Sequence, residues 1–406
     1  MGGAYTNLLD TPRSRMIFRI IVIPFVVIYG LHFLTHNGRM HPTGMWAMGR
    51  DFVNYWAGAR LAVSGEADLL MSPQSYYQYL QSQFGSQLDV HNWSYPPHTL
   101  LFIWPLGFLP YLAAFAVWIG AGLGSFYYAC RKLTANKVDS LVLLLAPATF
   151  ICIYTGQNGF FTATLILLAF AFRKDRPVLA GILIGCLTFK PQLGLFIPLI
   201  LILTRQWTIF LSAAITTLAL IGTSIAIFGS EVWVKYLTEI IPQQQEILEL
   251  YNTQFTRMVP SAFMAAKNIG VPIDMAWVIQ YAMSALIFCT VIWGFYKKRP
   301  PQLQFALFCT ASALFSPYVA NYDLVILAPA AYLFYSYLKS ETATLATWVW
   351  PLIFAVYLIP WLGQKTQEYG VPTYFVILVA FHCAILLTMY RAPVDGQSTD
   401  QMPLAA

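Results

Sequence analysis

Apolar runs, many close in length to a bilayer-crossing helix, follow one another along almost the whole chain. They do not alternate apolar with polar residues as the strands of a closed barrel do, so the pattern predicts helices. The predicted spans cover residues 20–33, 111–128, 141–154, 160–172, 178–189, 193–203, 209–228, 275–296, 303–315, 324–337, 345–362 and 371–390, about twelve in all. Several are shorter than the ~17–25 residues of a straight crossing and must extend into flanking polar positions.

Two polar stretches, 36–97 and 229–273, are too long for hairpin loops. In the first, Phe52, Tyr55, Trp56, Ala59 and Val63 recur at helical spacing. They predict an amphipathic helix in the membrane interface, with Asp51 at its N-terminal edge. Residues 73–84 predict a second, Tyr-rich helix of the same kind, and 231–251 a helical stretch in the second loop. Ser94-Tyr95-Pro96-Pro97 breaks the chain before a short apolar piece, 99–109, that is re-entrant or interfacial. The whole reads as an all-α polytopic membrane protein. Residues 1–391 form one integral membrane domain, followed by a disordered cytoplasmic tail, 392–406.

Composition sharpens this. The chain is 58% hydrophobic and 10% charged, where a soluble domain carries about 25% charge. The net charge of +6 needs no anionic macromolecule, because cytoplasmic loops of membrane proteins carry excess Lys and Arg. No nucleic-acid partner is expected. Most of the 23 Lys and Arg residues fall on the side of Arg13, Arg15, Arg19, Arg131, Lys132, Arg173 and Lys297. That side is therefore cytoplasmic, and both termini lie on it. No small-residue cleavage site follows the first apolar run, so no cleavable signal peptide is expected. The six cysteines form no CxxC and the histidines no HExxH. The cysteines read as small core residues, and neither a metal nor another cofactor is expected.

This topology places the Asp51 stretch, Tyr95-Pro96-Pro97, Gly156-Gln157-Asn158, Lys190-Pro191-Gln192, Arg257 and Asn321-Tyr322-Asp323 on one outer face. Each group has two readings. Asp51 is a helix N-cap or a catalytic carboxylate. Arg50 and Arg60 are snorkelling interface charges or contacts to a phosphate or sugar hydroxyl. Lys190 snorkels to the surface or neutralises a lipid phosphate at headgroup depth. Gln157 and Asn158 serve a tight turn or bind hydroxyls, and Asp323 caps a helix or faces the same cavity. Arg257 is a plain loop charge or a phosphate ligand. Trp56 reads chiefly as packing. Asn92-Trp93-Ser94 matches an N-glycosylation sequon.

Taken in order, these motifs resemble glycosyltransferase family 87. The resemblance is carried by Asp51-xxx-Tyr55, Tyr95-Pro96-Pro97, Pro105-Leu106-xx-Leu109-Pro110 and Gly156-Gln157-Asn158. Ala180-Gly181-xxx-Gly185 before Lys190-Pro191, and Ser316-Pro317 before Tyr322-Asp323, complete it. It implies the GT-C fold, with two large outer loops carrying amphipathic helices. It also implies an enzyme of the bacterial cytoplasmic membrane working on its outer side, with a polyprenyl-phosphate sugar as donor and a lipid or glycan as acceptor. By the resemblance Asp51 is the general base. Lys190, Arg257 and Arg50 would meet the donor phosphate. Tyr55, Arg60, Tyr95, Gln157, Asn158, Gln192, Asn321, Tyr322 and Asp323 would line the substrate site. Mannosyltransferases of the family carry a histidine pair where Tyr322-Asp323 stands here. The competing class is a secondary transporter or lipid flippase with Lys190 and Asp323 on its path. It predicts inverted repeats and broken helices around midplane charges, and no internal repeat is visible.

Overall fold

The structure is a computed structural model describing residues 49–86, 88, 90–134, 136–250, 256–341 and 348–392, together with positions 16, 24, 27 and 28. The predicted first span, apart from three isolated positions, and the tail beyond 392 lie outside the described residues. Every regular element among the described residues is helical. In chain order these are α1 (Phe52–Ser64), α2 (Pro73–Phe84), α3 (Tyr111–Leu133), α4 (Lys137–Leu144), α5 (Pro147–Thr155) and α6 (Gly159–Phe172). They continue with α7 (Pro177–Cys186), α8 (Ile197–Leu203), α9 (Trp207–Phe228), α10 (Ser230–Lys235), α11 (Ile241–Leu250) and α12 (Ala262–Asn268). The chain closes with α13 (Ile273–Tyr296), α14 (Pro301–Phe315), α15 (Leu327–Glu341), α16 (Val349–Gln367) and α17 (Thr373–Arg391). Short single-turn segments join several of them.

Four of these, α3, α9, α13 and α17, are long and apolar enough to cross a membrane alone. Helices α4 and α5 pass the same test only as a pair bent by 53°. The bend has a local cause. Pro147 opens α5 and holds Ala146 extended at ψ 145, since proline disfavours helical backbone in the residue before it. Several other predicted spans are helices of modest length. Helix α6, with 14 residues, is about 21 Å long, against ~30 Å of hydrocarbon. The polar turns between these shorter helices carry the candidate chemistry.

Two packing devices position those turns. Helix α7 lies against α9 through Gly181 and Gly185, where an added Cβ would stand 2.5 Å from Ser212 and Thr216. This small-xxx-small face lets two backbones approach where lipid offers no hydrophobic drive. The outer face of α9 is left apolar and open at Leu211, Ile215 and Leu218, as a lipid-facing surface requires. The second device is a core that the two long loops share. Phe52, Tyr55 and Trp56 of α1 pack with Tyr76 and Leu80 of α2, Phe115 of α3 and Val232, Tyr236 and Ile240 of the second loop. Gln243 of that loop also donates to the Asn92 side chain at 3.3 Å, so the sequon asparagine serves as a strut between loops.

This corrects the expected surface helix. Helix α1 is buried over most of its faces, because α3 covers one flank and the short apolar segment 99–109 another. Gly107 of that segment sits so close to Ala59 that a Cβ would meet its carbonyl oxygen at 2.6 Å. Trp56 donates to the Leu109 carbonyl at 2.9 Å. The cysteines also divide. Cys130, Cys152 and Cys309 are buried, whereas Cys289 and Cys383 are exposed on helix faces.

Candidate active site

Asp51 occupies the N-cap position of α1, yet its side chain makes no capping hydrogen bond. Its carboxylate is engaged elsewhere. Oδ1 accepts from Arg50 Nε at 3.0 Å, and Oδ2 accepts from Gln157 Nε2 at 2.9 Å. The backbone amide of Asp51 donates to the Thr155 carbonyl at 2.8 Å, fixing the residue to the end of α5. His91 stands alongside, its Nε2 donating to the Arg50 carbonyl at 2.9 Å and lying 4.0 Å from Asp51 Oδ1. The Asp51 side chain keeps 12% exposure and that of Arg50 33%, so the carboxylate is reachable from one side.

Gln157 and Asn158 follow α5 because Gly156 ends it in the left-handed conformation at φ 72. Here glycine is required twice over: the angle suits no L side chain, and a Cβ would lie 2.5 Å from Phe52. Gln157 Oε1 accepts from Tyr55 at 2.8 Å and from Tyr95 at 3.3 Å. The two tyrosine hydroxyls are 2.5 Å apart. Burial and mutual proximity push the Tyr55 phenol well up, and burial raises Tyr95 as well. Both remain neutral O–H groups. The Tyr55 ring stacks on Trp118 at 4.7 Å, and Trp118 Nε1 donates to the Gly156 carbonyl at 3.0 Å. With its ring covered in this way, Tyr55 offers the site only its hydroxyl.

Asn158 Oδ1 accepts from Lys190 Nζ at 3.3 Å, and its buried Nδ2 makes no well-aligned hydrogen bond among the described residues, though the Asn158 side chain lies near Tyr95. Lys190 also donates to Asp323 Oδ1 and lies 4.4 Å above the Tyr322 ring. The pair is shut away, with side chains 3% and 0% exposed. Asp323 keeps its capping role too, its Oδ2 accepting from the Ala320 amide at 3.0 Å. Tyr322 is held by main-chain contacts. Its carbonyl accepts from Cys152 Sγ at 3.4 Å and sits 2.1 Å from where a Cβ on Gly159 would fall. Burial, then Tyr95, raises the Tyr322 phenol.

Asp51, Arg50, Tyr55, Tyr95, Gln157, Asn158, Lys190, Tyr322 and Asp323 thus form one connected group. Four other residues singled out from the sequence do not join it. Arg60 lies over Trp56 at 5.1 Å, close enough to Tyr79 to hydrogen-bond it. Asn321 turns the other way, donating to Gln364 at 3.0 Å. Gln192 is half-buried in the turn Pro191–Leu193. Arg257, in the turn Thr256–Met258, has neither a hydrogen bond nor an ion pair among the described residues. The sequence reading passed over His91 and Trp118 as site residues. His91 was weighed only as a metal ligand, and Trp118 sits unmarked inside an apolar run. A histidine in a polar outer loop was a usable signal; nothing marked Trp118.

A helical membrane protein with a partly exposed carboxylate and a sealed lysine–aspartate pair, joined through one turn, has the parts of a polar reaction site. The chain belongs to glycosyltransferase family 87, whose family model matches residues 93–317, more than half of its length. The match takes in Tyr95, Gln157, Asn158, Lys190 and Arg257, starts after Asp51 and stops just short of Tyr322. Comparison with curated proteins and with solved structures gave no significant match. Membership makes the chain a membrane glycosyltransferase and favours the enzyme over the transporter.

Proposed function

We propose that the enzyme transfers a sugar, mannose or another hexose or pentose, from a polyprenyl-phosphate donor to a lipid or glycan acceptor. It does so at the outer face of the bacterial cytoplasmic membrane, within a GT-C architecture, with both termini cytoplasmic. Asp51 is the general base. It takes the acceptor hydroxyl proton while the acceptor oxygen attacks the anomeric carbon. The anomeric carbon–oxygen bond breaks, and its electron pair leaves with the lipid phosphate. A single displacement of this kind inverts the anomeric centre. The transition state is oxocarbenium-like, and a phosphate leaves without the acid assistance that an alkoxide needs. One carboxylate base and positive charge at the phosphate therefore suffice.

One observation supports this reading above the others. Consecutive residues of one turn reach the two charges that the reaction needs: Gln157 holds Asp51 and Asn158 holds Lys190. Base and cation are thereby kept in fixed relation, which is what positioning contributes to catalysis. Lys190 is paired with Asp323 before the donor binds; it supplies positive charge beside the phosphate once the phosphate takes the place of that carboxylate, with Arg257 and Arg50 as further cations. Arg257 is suited to this because no carboxylate of the described residues claims it. The buried Nδ2 of Asn158 is a donor ready for a phosphate or sugar oxygen.

The test uses purified full-length protein in lipid nanodiscs, radiolabelled polyprenyl-phosphate mannose and a membrane lipid extract as acceptor. Parallel reactions use other polyprenyl-phosphate hexoses and pentoses. Transfer of label is expected from at least one donor. Asp51→Asn should lower it by roughly 10²–10⁴-fold while binding of polyprenyl phosphate is retained. Full activity of Asp51→Asn would sink the assignment of the base.

A further inference from the structure

Resting on Asp51 as the base, we propose that Gln157 is its positioning residue and that the Tyr55–Tyr95 hydroxyl pair acts on the base through Gln157. An ionised carboxylate only accepts hydrogen bonds, so the Gln157 amide must present its NH2 to Asp51. That places its carbonyl toward the tyrosines, as observed. A flipped amide would set oxygen against oxygen at Asp51.

The tyrosines supply donors that match this orientation. Tyr55 donates to Gln157 Oε1 at 2.8 Å, and Tyr95 reaches both that oxygen and the Tyr55 hydroxyl. Their buried phenols stay protonated, so the donors persist at any pH at which the enzyme works. The three bonds Tyr95 to Tyr55, Tyr55 to Gln157 and Gln157 to Asp51 can all run in one direction, toward the carboxylate. Aligned donors of this kind polarise one another in a low-dielectric setting.

The consequence falls on the geometry of the base. Arg50 takes Oδ1 and Gln157 takes Oδ2, while the main chain is tied to Thr155. The carboxylate plane is then set by two side chains far apart in the sequence, one on each oxygen. Arg50 is partly in solvent, its side chain 33% exposed. Gln157 is buried and anchored from behind, so it is the stiffer of the two constraints. It touches the base rather than a substrate, which distinguishes it from the hydroxyl-binding residue expected from the sequence.

The inference is tested by kinetics with polyprenyl-phosphate mannose, or whichever donor the parallel reactions identify. Gln157→Leu should lower kcat roughly 10- to 100-fold, the scale of a misplaced catalytic group, with donor KM within about twofold and binding of polyprenyl phosphate unchanged. Tyr55→Phe and Tyr95→Phe, neither of which touches Asp51, should each lower kcat about 2- to 10-fold, the worth of one hydrogen bond. The double variant Gln157→Leu/Tyr55→Phe should be no slower than Gln157→Leu alone, because the tyrosine acts through the amide. Full kcat in Gln157→Leu, or simple multiplication of the two single effects in the double variant, overturns the proposal. Should Gln157→Leu fail to fold, full kcat in both tyrosine variants overturns it and a reduced kcat at constant KM supports it. An inactive Asp51→Asn beside a full-rate Gln157→Leu removes the positioning and leaves the base. An active Asp51→Asn removes the base itself.

Discussion

Lys190 and Asp323, 133 positions apart in the chain, form an ion pair that water does not reach. Such a pair is costly to break from one side, since the survivor is left charged and buried. Lys190→Met should therefore destabilise the fold by about 3–5 kcal/mol, whereas replacing both members with apolar residues costs far less. Denaturation of Lys190→Met and of Lys190→Met/Asp323→Leu in detergent checks this. The double variant should recover most of the stability and none of the transfer.

Gly159 marks a second point of no slack. A Cβ there would stand 2.1 Å from the Tyr322 carbonyl oxygen and 2.7 Å from Cys152 Sγ. Main chain cannot give way as a side-chain tip does, so Gly159→Ala should cost about 1–3 kcal/mol and shift the Tyr322–Asp323 turn. Gly222 is the control, with nothing within 4 Å of its added Cβ. In the middle of α9, Gly222→Ala should leave melting unchanged or raise it, since alanine favours helix by up to about 1 kcal/mol.

His98 gives the fold a pH dependence. It is buried between Thr188, whose hydroxyl lies 3.2 Å from Nε2, and the stacked Trp233 ring. Burial lowers its pKa from 6.5 to about 4. The folded protein therefore binds this proton more weakly than the unfolded chain. The stability it contributes is complete above about pH 6.5 and is lost as pH falls toward 4. Melting temperatures measured across that window should decline, and His98→Phe should flatten the decline.

Arg60 is expected to matter little for transfer. Its guanidinium covers Trp56 about two and a half helical turns beyond Asp51. Arg60→Gln should leave kcat within about twofold of the parent and cost up to about 1 kcal/mol of stability. A loss of kcat as deep as that of Asp51→Asn would place Arg60 in the site after all.

The sequence was informative where one physical term dominated. Apolar length marked α3, α9, α13 and α17 to within a few residues, because little but burial in lipid decides them. The bend at Pro147 was missed because the apolar run passes through it unbroken, and local backbone restriction overrode the pattern. Gly156-Gln157-Asn158 and Lys190-Pro191 were visible as polar breaks in apolar surroundings. The direction of each side chain was not visible. Tyr322 and Asn321 are neighbours, yet one lies against Lys190 and the other bonds to Gln364 on α16. Arg60 shares a helix with Tyr55 but emerges on another face. Helical phase and tertiary packing settle such questions, and a loop whose helix is buried on most sides gives little periodicity from which to read them.

The amide of Asp51 bonds to the carbonyl of Thr155, and both atoms belong to the main chain. Exchanging the side chain at 155 leaves that bond in place. The carboxylate is therefore surveyed from a benchmark that most substitutions cannot erase. Someone recutting the walls of this site to admit a different sugar can leave Gln157 and Arg50 in place, alter other side chains, and still find the main chain of the base where it was.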